Sequence, residues 1–347
     1  MQSAGAVLIV AAGVAGLLGT ARAQVGSEQP ASIVVFPKIV VDGTRDTIVQ
    51  LSNTANATTY AHCWYRNGAL ANPALPPGPA NPPLWTSADF TVVLTKQQPT
   101  TWVVSRGRMA DVPVERCTRD PSNYDCYGAG FDPGRVPVMA EGFTGELRCI
   151  ETDAIGAPLS GNHLTGEATL EDRVTGDVAK YSAIGFAGLE GNDGDDVLRL
   201  GEEYAGCPQS LVFDHAAEGA AAVGLDADSS VATELTIIPC SVDYTVQVPE
   251  TVIVQFLASN EFEQVFSASV VVTCWRSASL HELDTVFGLD ALGTPTAQTL
   301  LRASAASSSG ILAVAEEQQR IGDLAARAAI NVHSLGVRDA GDLITVP

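Results

Sequence analysis

Basic residues are scarce in this chain: 19 Lys and Arg stand against 40 Asp and Glu, for a formal net charge of −21 over 347 residues. Nucleic-acid binding rests on a basic surface that neutralises phosphates and releases counterions. That class is therefore excluded, and anionic lipid surfaces are disfavoured for the same reason. Cations, neutral glycans and other proteins remain as partners, and the acidity also helps solubility. No Cys-x-x-Cys pair occurs, so zinc ribbons, thioredoxin-like redox motifs and haem attachment lack their basis. The G-x-S-x-G elbow, the P-loop, the dinucleotide-binding G-x-G-x-x-G after a strand and H-E-x-x-H are absent as well. Past the N-terminus, no run is long and apolar enough to span a bilayer.

What is there begins with residues 6–19, "AVLIVAAGVAGLLG", an uncharged run followed by "TARA". Ala21 and Ala23 have the small-x-small spacing of a signal-peptidase site, although no Lys or Arg precedes the run. The expectation is a signal peptide over residues 1–23 and a mature chain from Gln24, secreted, periplasmic or at the cell surface. Its removal takes away Arg22 alone and leaves a net charge of −22.

Seven cysteines in an exported chain point to disulfides. Cys117 and Cys126 bracket the turn-rich "TRDPSNYD" and are the first expected pair. Cys63 with Cys149, and Cys207 with Cys240, come next. The odd count leaves at least one thiol unpaired or intermolecular.

Hydropathy alternates with period two along most of the chain, the signal of half-buried strands. "ASIVVFPKIVV" is a first strand, where Pro37 demands an edge or a bulge. Residues 69–84 hold six prolines and read as a stiff polyproline-like surface loop. Residues 190–230 turn acidic and rich in Gly and Ala. The Ala- and Glu-rich stretch 311–335 suits a strand or a helix, and the strand is favoured. "TIVQLSN" (47–53) is echoed by "VIVQFLASN" (252–260), and each precedes a strand ending in Cys-Trp, at 63–64 and 274–275. The spacings differ, so this is no solenoid. The expectation is all-β: two β-sandwich domains of Ig-like architecture with related hairpins, over residues 30–189 and 231–347, joined by the acidic segment 190–230.

Adjacent strand residues point to opposite faces. Cys63 and Cys274 are therefore assigned to two sandwich cores, with Trp64 and Trp275 on the more polar faces. Either a loop or the other domain covers each indole, or the pair forms a ligand surface. "GNDGDDVLR" (191–199) resembles one calcium-binding nonapeptide of the RTX type at Gly191, Gly194, Asp196 and Leu198. A solvated acidic turn is the preferred reading, with Asp193, Asp195 and Asp196 as calcium ligands in the alternative. No other cofactor is implied. His163 with Glu167, and His215 with Glu218, read as structural pairs rather than catalytic ones.

The segment "FPKIVVDGTRDTIVQLSNT", with "GELRCIETD", "GNHLTGEATL" and "VQFLASNEFEQVFS", resembles uncharacterised exported bacterial β-rich proteins. The resemblance implies export and a β-rich fold, and no activity. The functional expectation is a non-enzymatic secreted or cell-surface protein for adhesion, envelope structure or assembly, with a protein or neutral glycan as partner. The alternative is a secreted glycan-binding protein or hydrolase whose site is built from distant carboxylates and aromatics.

Overall fold

A computed structural model describes residues 25–78, 80–108, 133–221, 229–246, 248–322 and 324–347. The expected signal peptide and the Cys117–Cys126 pair lie outside the described residues. In chain order the strands are β1 (Ile33–Val41), β2 (Arg45–Asn53), β3 (Thr59–Asn67), β4 (Ser87–Leu94), β5 (Pro99–Val103), β6 (Phe143–Thr152) and β7 (Leu164–Asp172). Then come β8 (Val178–Ser182), β9 (Ile184–Phe186), β10 (Val197–Leu200), β11 (Pro208–Ala216), β12 (Ser229–Pro239), β13 (Val242–Asp243) and β14 (Thr251–Asn260). The chain closes with β15 (Val265–Thr273), β16 (Arg276–Ser279), β17 (Thr296–Ala303), β18 (Ile311–Ile321), β19 (Leu324–Asn331), β20 (His333–Val337) and β21 (Asp342–Thr345). Two single-turn helices, α1 (Leu280–Leu283) and α2 (Leu289–Leu292), interrupt the second half.

The class is all-β, but the expected pair of Ig-like sandwiches is not what forms. The strands make five small sheets arranged as a five-bladed β-propeller. They are sheet A (β4-β3-β6-β1-β9), sheet B (β5-β2-β7-β8), sheet C (β10-β21-β13), sheet D (β15-β14-β17-β11-β20) and sheet E (β16-β12-β18-β19). Consecutive strands do not fill one blade at a time; sheet A, for instance, takes strands from both sides of β5, β7 and β8. Sheets A and B share one apolar core around Phe36, Leu51, Tyr65 and Trp102. Sheets D and E share another around Phe213, Phe256, Leu235 and Ala313. A third core, absent from the sandwich expectation, joins sheets A, C and E through Ile33, Trp64, Ile150, Leu198, Ile344, Ile238 and Leu312.

That third core explains β1. All nine of its residues are buried, because sheet A is covered on both faces, and a strand buried on both faces is apolar throughout rather than alternating. Pro37 sits where the register of β1 against β6 shifts, between Phe36 and Ile39, so the bulge is the form taken. β18 does the same between the three cores: Leu312 enters the central one, Val314 that of sheets A and B, and Ala313 and Ala315 that of sheets D and E.

The echoed segments are not equivalent. β14 and β15 form a hairpin within sheet D, with Val254 opposite Val270. β2 instead lies in sheet B and β3 in sheet A. The acidic stretch 190–230 also contains β10 and β11, whose alternation was masked by the surrounding Asp, Glu, Gly and Ala. The tail 311–335 is strand throughout β18 and β19, as favoured.

Candidate functional site

The two Cys-Trp pairs converge on the central core. Cys63 faces the core of sheets A and B and is bonded to Cys149, directly opposite it on β6. Trp64 therefore points the other way, where it stacks on Tyr244 at 5.0 Å. It is only 3% exposed. Cys274 is buried too, but it lies just past β15 with φ of 62°, a left-handed turn that swings it out of the core of sheets D and E and into the central one. Trp275 is half-buried: its indole N–H donates to the Pro37 carbonyl at 2.8 Å, and its side chain lies on Gly68. The ligand-surface reading of Trp64 and Trp275 is thus corrected. Other elements cover Trp64 and half-cover Trp275, because the polar-looking face of β3 and the turn after β15 abut a further core rather than water.

Around Trp64 lies a buried charged cluster that sequence reasoning missed. Trp64 and Arg66 on β3 face Arg148 and Glu146 on β6 across the ladder. Arg148 donates to Glu146 at 2.9 Å and to the carbonyls of Pro239 and Cys240, tying sheet A to the end of β12. Burial opposes its charge, but Glu146 holds its pKa above the usual arginine value. The Arg66 guanidinium lies between the rings of Trp85 (4.2 Å) and Tyr244 (4.6 Å), a cation–π arrangement. Burial pushes the pKa of Arg66 down. Glu146 and Arg148, two apart on one strand, were the available sequence signal. Cys207 and Cys240 are bonded beside this cluster, leaving Cys274 as the free cysteine among the described residues. Burial pushes its thiol up, which removes the thiolate needed for reactivity.

A cleft of ≈ 310 Å³ opens where sheet E meets sheets A and B. Two of its lining residues, Glu316 and Glu234, are bonded by Lys38, 1% exposed, at 2.7 Å and 3.0 Å. Arg45 lies 3.6 Å from Glu234, and Arg327 bridges Glu316 and Asp172. Glu234 and Glu316 would be the carboxylate pair of a hydrolase, in which one acid must be held protonated by a raised pKa. Here burial favours the neutral form of Glu234, yet Lys38, Ser277 and Arg45 outweigh it and hold the carboxyl below its usual range. Each carboxylate is paired with cations, and the cluster ties sheet E to sheets A and B.

The acidic turn behaves similarly. Asp193 and Asp195 come together with Glu203, ligand atoms within 4.8 Å of one another, while Asp196 is outside the group. Arg199 occupies the middle, 3.7, 3.4 and 3.2 Å from Asp193, Asp195 and Glu203. The guanidinium supplies one of the two positive charges that calcium would bring, and it takes the space between the carboxylates. His163 pairs with Glu151 at 2.7 Å rather than with Glu167, which meets Lys180. His215 is buried between the Thr299 hydroxyl and the Ala216 carbonyl. Its partners are structural.

What remains exposed and chemically distinct is the outer face of sheet D. Opposite the core-facing row Val252, Val254, Phe256, its outward residues include Ile253, Leu257, Val265, Ser267, Ser269, Val271, Leu300 and Val212. Val265 and Val271 are 62% and 56% exposed. The charged groups in these rows are Arg302, bonded to Gln255, and Asp214, bonded to Gln298. In so acidic a chain, this face is nearly free of charge.

No protein-family model matches the chain, and no curated protein does. Among solved structures, the naturally occurring empty particle of cowpea mosaic virus is similar at 11% identity and a TM-score of 0.19, over 93% of this chain and 92% of that one. A likeness of that size carries no argument about fold or function. Among the described residues, no helix is long and apolar enough to cross a membrane.

Proposed function

We propose that this is an exported, non-enzymatic protein that works by contact, in adhesion, an envelope layer or an assembly, and that its partner is a protein. The observation that carries the reading is the nearly uncharged outer face of sheet D on a chain of net charge −21. Interfaces are depleted of charge at their centres, and exposed apolar patches rimmed by polar residues mark contact sites. The two disulfides among the described residues accord with an oxidising compartment. The alternative of a glycan-binding protein or hydrolase loses support where Glu234 and Glu316 are paired with Lys38, Arg45 and Arg327 and where Trp64 is covered. The test is a pull-down with the mature chain as bait, beside a panel of polysaccharide substrates. Retention of an extracellular protein, reduced by Val271→Lys, is expected. Turnover of a glycan, abolished by Glu316→Gln, would overturn the proposal.

A further inference from the structure

Edge strands expose unpaired N–H and C=O groups, and proteins protect them by shortening, charge, proline or a covering segment. Among the described residues nine of the ten sheet edges follow that rule. β9, β10, β13 and β16 have four residues or fewer, and β5, β8 and β20 have five. Of the two longer ones, β4 carries Asp89 and is capped by the Pro133 carbonyl, and β19 carries Arg327 and runs beside β8. β15 breaks the rule. Its nine residues, VFSASVVVT, contain no charge, proline or glycine, and β14 is its single ladder neighbour.

We propose that two copies of this chain pair through β15, antiparallel and edge to edge, about a two-fold axis passing by Ser269. The proposal rests on the assembly reading above and names its partner. Around Ser269 the strand is self-complementary: Val265 would face Thr273, and Ser267 would face Val271, so each exposed aliphatic meets a small side chain. Pairing of like strands joins two five-stranded sheets into one, the isologous arrangement that two-fold symmetry requires. A second copy is the favoured occupant because this uncharged strand is its own complement about Ser269. Two mature chains of charge −22 repel, and a charge-free edge is where they approach at least cost. A nine-residue ladder also buries less than a standard stable interface, so the dimer is expected to be weak and to tighten as salt screens the repulsion.

The test uses the full mature chain in sedimentation at rising concentration and two salt levels. A mass twice the monomer's is expected at high concentration, with dissociation weakened by salt. Ser269→Lys, at an exposed position, should abolish the dimer and leave the melting temperature unchanged; Val271→Lys serves should the first variant fold poorly. Register is read by Ser269→Cys. Residues directly opposite in an antiparallel pair have Cα atoms about 4.5–5.5 Å apart, within reach of a disulfide, so this variant should cross-link to itself on oxidation. Ser267→Cys should not, because the symmetric partner lies about four residues, or ~13 Å, along the strand. A wild-type chain that stays monomeric throughout overturns the pairing, as does a dimer indifferent to both lysine variants or cross-linking equally at positions 267 and 269. Capture of a different protein by a monomeric chain would overturn the pairing and leave the contact reading standing.

Discussion

Removing the Lys38 ammonium tests whether the cleft is a lock between sheets. Lys38 is 1% exposed and Glu316 4% exposed, and Nζ lies 2.7 Å from Glu316 and 3.0 Å from Glu234. Lys38→Met keeps the hydrocarbon stem in place and deletes only the charge. Breaking a buried pair by removing one partner costs roughly 3–5 kcal/mol, because the other charge is left uncompensated. Glu316 keeps Arg327 at 3.4 Å and Glu234 keeps Arg45 at 3.6 Å, so the loss should fall at the lower end, about 3 kcal/mol. Lys38→Met combined with Glu316→Leu removes the stranded charge and should recover about 1–2 kcal/mol of that loss. The sign of the pH dependence follows from Glu234. Its folded pKa lies below the unfolded value of 4.5, so its contribution is present above pH 4.5 and disappears as pH falls further. In Lys38→Met that acid-sensitive contribution should shrink. Urea unfolding of the three proteins at pH 7 and pH 4 measures all of this. A loss under about 1 kcal/mol for Lys38→Met, the size of an exposed pair, would refute the buried lock.

Trp64→Ala should cost about 3–5 kcal/mol in denaturant unfolding, the range for a core aromatic, whereas Trp275→Ala, removing a half-buried indole and one hydrogen bond, should cost less; equal losses would contradict the packing described. Gly68→Ala should destabilise by about 1–3 kcal/mol, since its methyl would lie 2.6 Å from the Trp275 Cβ and 2.8 Å from its Cγ; in a double-mutant cycle Trp275→Ala, which keeps the Cβ, should relieve only part of that and Trp275→Gly more. Millimolar calcium should leave the melting temperature of the wild type unchanged, because the Arg199 guanidinium already lies among Asp193, Asp195 and Glu203 where the ion would have to sit; a rise that vanishes in Asp195→Ala would reverse this. Cys274 should resist iodoacetamide at pH 8 in the native state and react on unfolding, as peptide mapping would show.

Local physical chemistry in the sequence determined the strands and their faces. Alternation is a property of the backbone, so Cys63 could be placed inward from its neighbours alone, and the missing N–H of Pro37 demanded an edge or a bulge, of which the bulge formed. The Cys63–Cys149 and Cys207–Cys240 bonds were also anticipated, the first because both residues lie on strands that the apolar pattern buries, the second because the two residues flank the join between the expected halves. Only the tertiary structure decided what covers the second face of each sheet. Trp64, Arg66, Glu146 and Arg148 look outward when β3 and β6 are read singly, and they become interior once sheets C and E close over sheet A. The echo of "IVQ" and Cys-Trp suggested two equivalent hairpins, yet β2 and β3 part into different sheets while β14 and β15 stay together. A strand's sequence records which way its side chains point; which sheet meets them is set by the long-range order of pairing. Five sheets around three cores, rather than two sandwiches, is a decision made at that level.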